Sequence, residues 1–156
     1  MIRPRRLRTT PLMREMVAET KLLKQQFIYP CFVVPGAKKK DPIPSMPGIH
    51  HFSIDALLKD AEKGLKSGVN KLLLFGVGEK KTANASSSFD KNSMVVKAIK
   101  ALRKEFGKEL LLITDVCVCA YTDHGHCGIL DGDHVHNDKS VSVLAKMALA
   151  HAEAGA

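Results

Sequence analysis

The chain has 156 residues, 45% hydrophobic and 5% aromatic, with no tryptophan and a net charge of +8, a balance that suits a single α/β domain with its own core. Its apolar runs fall short of the ~18 residues a membrane span needs, and its start lacks the apolar stretch of a signal peptide; no membrane partner is expected, and the expected location is cytoplasmic. Ten basic and two acidic residues lie in the first forty, while the remainder balances fourteen against fourteen, so all the excess charge sits in the first quarter, a basic arm on a neutral body. Such an arm could meet an acidic surface on a partner; it has no aromatic interleaving and no recognisable binding module, so nucleic acid is not an expected ligand.

Arg3 to Arg8 is too charged and proline-interrupted for an element and should be extended. Thr10 followed by Pro11 is a helix start, with Leu12, Met13, Met16, Val17 and Leu23 as a partial apolar stripe reaching about Lys24. Docking on its own domain and docking on a partner are both open for this helix. Residues 1–26 are therefore read as a basic arm and 27–156 as the main domain.

Phe27 to Val34 predicts a first strand that Pro35-Gly36 stops, and Cys31 within it is a core residue. Lys38 to Lys40 should be a solvated turn opening a proline-punctuated loop. Ser53 should cap a helix to about Ser67, with Gly68 ending it. Leu72 to Phe75 lacks polar alternation, as a strand covered on both faces would. Gly78 to Asp90 should be a polar, mobile connection. Val95, Ile99, Leu102 and Phe106 mark a helix ending at Gly107, and Leu110 to Thr114 is a third strand. Asn137 or Asp138 should cap a last helix whose buried face carries Val141, Leu144, Ala145, Ala148 and Ala152, with Gly155 as its stop. Strands alternating with helices imply parallel pairing with right-handed crossovers, in an open sheet or a closed barrel, with chemistry at the carboxyl ends of the strands.

At that end of the third strand stands Asp115-Val116-Cys117-Val118-Cys119-Ala120-Tyr121-Thr122-Asp123-His124-Gly125-His126-Cys127-Gly128, with three of the four cysteines. In an extended backbone Asp115, Cys117 and Cys119 share one side. Gly125 and Gly128 let the loop return Cys127 to them. Three thiolates suit Zn²⁺, with a histidine completing the set or a coordination position left free. A strained disulfide, redox chemistry and unliganded thiols remain as alternatives.

This run resembles the zinc-site signature of the porphobilinogen synthase, or delta-aminolevulinic acid dehydratase, family. Arg3 to Pro11, Tyr29 to Val33, Met46-Pro47-Gly48 and Leu74-Phe75-Gly76 resemble the same family in the same order. The resemblance implies a parallel (β/α)8 TIM barrel, of which this chain would supply the arm and about three βα units, an incomplete barrel, since about 250 residues are usual. It implies a zinc-dependent condensation of two delta-aminolevulinate molecules to porphobilinogen with loss of water, in tetrapyrrole biosynthesis. The arm would embrace a neighbouring subunit of a homo-oligomer. The family's two Schiff-base lysines would lie outside this chain, making it an amino-terminal fragment that is inactive alone.

Asp115 is the candidate catalytic carboxylate, to orient a substrate or accept a proton, against the plainer role of closing a strand end. Cys117, Cys119 and Cys127 are the candidate metal ligands. His126 is a candidate hydrogen-bond donor to the metal-bound thiolates or an occasional ligand itself, and His124 a weaker one. Lys71 stands at the wrong end of a strand for chemistry, while Lys80 and Lys81 lie in a solvated loop, and His134 and His136 read as solvated. The competing function is a non-catalytic zinc-binding or assembly module acting with another chain.

Overall fold

The structure, a computed structural model, describes residues 4–156; Met1 to Arg3 of the expected arm lie outside them. The buried apolar runs become β1 (Tyr29–Val33), β4 (Lys71–Gly76) and β5 (Leu111–Thr114), joined by β2 (Lys40–Pro42) and β3 (His50–Phe52) in a five-stranded sheet of order β2-β3-β1-β4-β5. β3, β1, β4 and β5 are parallel, with Cys31 opposite Leu74 and Leu74 opposite Thr114, and β2 is antiparallel to β3. The alternation of strand and helix thus gives the expected parallel α/β sheet.

The hairpin of β2 and β3 corrects the expectation of a loop over these residues. Ile43 N–H donates to Ile49 O at 3.0 Å and Met46 N–H to Ile43 O at 2.9 Å, around Gly48 at φ +84°, so the prolines punctuate the turn while the flanks pair. Lys38 to Lys40 are exposed, as expected, and Lys40 is also paired. Its ammonium lies 2.7 Å from Asp60 Oδ1 and 5.4 Å above the Phe52 ring, while Tyr29 donates to Asp60 Oδ2 at 3.0 Å.

α2 (Ile54–Lys66) and α3 (Met94–Phe106) cover one face of the sheet. Leu72, Leu74 and Gly76 point toward them and are buried, whereas Lys71, Leu73 and Phe75 on the opposite face are only half-buried. This corrects the expectation of cover on both faces: among the described residues the second face carries a stacked Phe32–Phe75 pair, 4.9 Å between ring centres, and little above it. On the covered face, burying each large side chain such as Leu57, Leu72 or Ile99 contributes roughly 1.5–3 kcal/mol. Ser53 is the residue before α2 as expected, but its hydroxyl serves Lys39 N–H and Asp55 rather than the helix amides.

α4 (Asn137–Ala154) packs beside α3 and on a 3-10 turn at Ser86–Phe89. Its cap is His136, whose Nδ1 accepts from Lys139 N–H at 3.4 Å, rather than Asn137 or Asp138. Its buried residues are Ser140, Met147, Ala150, His151 and Ala154, with Val141 and Leu149 exposed, so the helix is rotated about one residue from the expected face. The loop from Gly78 to Asp90 is also packed rather than free: Ala85 and Ser88 are fully buried, and the Glu79 carboxylate accepts from Met94 N–H at the start of α3. His134 and Val135 form β7 (His134–Val135), paired with β6 (Leu130–Asp131).

In the arm, Thr10 caps α1 (Pro11–Met16) as expected, accepting from Met13 N–H at 3.1 Å. The helix ends well before Lys24, since a short helix without tertiary support gains too little from its own hydrogen bonds to continue through Val17 and Thr20. Arg6–Arg8 forms a 3-10 turn instead of an extended stretch. Every described arm residue to Gln26 except half-buried Met13 is exposed, including Leu12, Met16 and Leu22 at 77%, 71% and 81%.

Candidate metal centre and adjoining cavity

β5 delivers the motif to the carboxyl end of the sheet. Asp115 continues the ladder past the strand, its N–H donating to Leu74 O at 3.1 Å. The backbone then leaves extension at Val118, which is fully buried beside Ala85, Tyr121 and Met147. A turn follows, with Tyr121 and Thr122 N–H both donating to Val118 O at 2.9 and 3.0 Å. Cys117 and Cys119 are therefore brought together by a bend around a buried valine, not by strand alternation continued through the motif; their sulfurs lie 3.3 Å apart.

The far side of the loop is tied back. Thr122, fully buried, donates its hydroxyl to His126 O at 3.0 Å, next to Cys127, and Gly125 takes the positive φ of +77° that the turn demands. Beyond Cys127, Ile129 N–H donates to Ser140 Oγ at 2.8 Å, and Ser140 Oγ in turn donates to His136 O at 2.7 Å, anchoring the loop to the first turn of α4. All three sulfurs fall within 4.8 Å of one another, and all four cysteines of the chain are free thiols.

The thiols perturb one another. Contact with Cys117, followed by burial, pushes Cys119 up to about 11, and contact with Cys117 also raises Cys127. Without a cation the cluster thus resists gathering charge, and a divalent ion reverses that preference by stabilising each thiolate. The donor set fits zinc: sulfurs about 2.3 Å from one tetrahedral ion stand roughly 3.8 Å apart, within the span observed here.

A cavity of about 220 Å³ adjoins the cluster, with Asp115, Cys117, Cys119 and Tyr121 on one side and the Phe32 and Phe75 rings on the other. Burial raises the Asp115 carboxyl above the ordinary carboxylate range, and burial, Glu79 and Asp115 hold the Tyr121 phenol in its neutral form. The arrangement can hold a soft metal beside a partly desolvated carboxyl group, a setting for binding and proton transfer on a small polar molecule.

Of the residues singled out in the sequence, Asp115, Cys117 and Cys119 line this cavity, while Cys127 reaches the sulfur cluster from outside it. His126 is exposed and stands by His124: its N–H donates to His124 Nδ1 at 3.1 Å, and the rings are 5.4 Å apart. Lys71 begins β4, away from the site, Lys80 and Lys81 are exposed, and no lysine is among the cavity's lining residues. Sequence reading does not reveal Tyr121, Thr122 or Glu79 as part of the site. Their side chains act through contacts with β4, with the returning loop and with the start of α3, and only Thr122 has a local signal, a hydroxyl four residues before His126 in a glycine-containing loop.

The delta-aminolevulinic acid dehydratase family model matches residues 1–156. Among curated relatives, the chain is similar to delta-aminolevulinic acid dehydratases of Methanothermus sociabilis, 46% identical over 99% of this chain and 48% of the relative, and of Bacillus subtilis, 42% identical over 99% and 47%. It superimposes with a TM-score of 0.92 and 34% identity on a crystal structure of the Toxoplasma gondii enzyme in complex with its reaction product porphobilinogen, covering 100% of this chain and 45% of that one. The chain spans about half the length of these relatives. A match running from end to end, over a parallel sheet with the thiol cluster at its carboxyl end, means that the chain belongs to the delta-aminolevulinic acid dehydratase family.

Proposed function

We propose that this chain provides the metal-binding part of a porphobilinogen synthase, which condenses two delta-aminolevulinate molecules to porphobilinogen with loss of water in cytoplasmic tetrapyrrole biosynthesis. The observation that carries this reading is the juxtaposition of three thiols and the half-buried Asp115 around one cavity. Cys117, Cys119 and Cys127 would hold Zn²⁺, and His126 would stand behind them. Three thiolates leave the ion with little Lewis acidity, so zinc there would supply a site for an amine rather than strong carbonyl polarisation. Asp115, its carboxyl raised by burial, would orient the substrate and take up or return a proton within the cavity.

The sheet is read as the opening part of an eight-fold barrel, with residues 27–156 as the barrel portion and 1–26 as an arm that joins subunits of a homo-oligomer. The exposed apolar residues of the arm support that role. No lysine lines the cavity, so the imine-forming groups of the condensation must come from other residues of a complete enzyme.

A chimera tests this reading. Residues 1–156 of this chain replace the aligned segment of the Bacillus subtilis relative, and porphobilinogen formation is followed with and without zinc. Zinc-dependent turnover that falls about 10²-fold or more in Asp115→Asn is expected; a folded chimera without turnover, or one indifferent to Asp115, refutes the assignment.

A further inference from the structure

We propose that Gly76 and Tyr121 form a steric seat that sets the position of the Cys119 thiol, which makes both of them positioning residues for metal binding. The inference rests on the metal reading above and adds residues to it. Gly76 is the last residue of β4 and is buried. A Cβ at this position would fall well inside contact distance of Tyr121 Oη, 3.3 Å from Tyr121 Cζ and 2.8 Å from Val95 Cγ2. The phenol thus occupies the space a side chain would take. No positive φ calls for glycine at Gly76, so the reason for glycine there is this close approach.

Tyr121 is 2% exposed, and its backbone is fixed on both sides: its N–H donates to Val118 O at 2.9 Å, and its carbonyl accepts from Thr82 N–H at 3.0 Å. Cys119 lies inside the turn closed by the first of these bonds. Where the ring can seat against β4 therefore decides how far the turn stands from the sheet, and with it the distance between the Cys119 and Cys117 sulfurs, now 3.3 Å. Cys117 precedes that turn, two residues after Asp115, whose N–H donates to Leu74 O at 3.1 Å.

The experiment is a Co²⁺ titration of the 156-residue chain, read by thiolate-to-cobalt charge-transfer absorption, with circular dichroism to check the fold. Cobalt absorption in the parent chain that disappears when Cys117, Cys119 and Cys127 are all serine is the expected baseline; a parent chain without it would overturn the metal reading and this inference together. Gly76→Ala should weaken cobalt binding about 10- to 100-fold, as loss of a supporting partner does, and should alter the absorption of what binds. Tyr121→Phe alone is the reference for the double variant, since it removes only the Oη that the added Cβ would meet. The pair G76A/Y121F should recover most of the lost affinity, whereas G76A/V95A should not. With the parent binding normally, two results overturn the seat: a Gly76→Ala chain that binds as the parent does, or recovery by Val95→Ala in place of Tyr121→Phe.

Discussion

Cys31 lies in the middle of β1 with no exposure, and its thiol is pushed up to about 12, chiefly by burial and secondarily by the nearby Asp60 carboxylate. The folded chain then holds this proton more tightly than the unfolded chain, whose thiol titrates near 9.0. Its contribution to stability is complete below that value and is lost as pH rises toward 12, at up to about 1.4 kcal/mol per pH unit. Urea unfolding across this range should show an alkaline decline that is shallower in Cys31→Ala, and equal slopes would contradict it. Cys31 is readable as a core residue from its place in an apolar run. The polar contacts beside it are not, because Asp60 reaches Tyr29 and Lys40 across 31 and 20 positions of sequence. The thiol cluster is intermediate: residue types and spacing announce it, while the bend at Val118 that assembles it depends on packing against Ala85 and Met147.

The element hardest to orient from sequence is α4. Alanine, leucine, valine and methionine occur nearly all round it, so two stripes one residue apart compete, and periodicity cannot choose between them. The choice is made by Ser140, whose hydroxyl bonds to Ile129 N–H and His136 O fix the helix's rotation and turn Met147 and His151 inward. Met147→Ala should accordingly cost about 2–5 kcal/mol. Val141→Ala, on the face expected from the sequence and at a position 54% exposed, should stay within about 0.5 kcal/mol of the parent. Chemical denaturation of the two variants decides between the faces, and equal losses would favour the other rotation. The short β2–β3 hairpin escapes sequence reading for a related reason: three-residue strands carry too little pattern to outvote the prolines near them. The three longer parallel strands are legible because continuous apolar runs have few other places to go.

Over the whole molecule, charge and apolar exposure coincide in the arm, where Leu12, Met16 and Leu22 face outward among the arginines and lysines. In a complete enzyme carrying this chain, deletion of Met1 to Lys24 should lower the assembled mass measured by light scattering, and an unchanged mass would refute the arm's role. The main domain is held together in another way, at Arg103 near the end of α3. Its guanidinium donates to Gly155 O at 2.6 Å and to Gly107 O and Leu110 O at 2.7 Å each, so one side chain gathers the ends of α4 and α3 and the entry to β5. The end of α4 lies 52 residues from Arg103 in sequence while the other two segments adjoin it, yet none can release its carbonyl without disturbing the donor shared by the others. In native-state hydrogen exchange they should therefore open as one cooperative unit with a common free energy. Lysine at 103, a point charge without a fork, would let the last turn of α4 exchange ahead of α3.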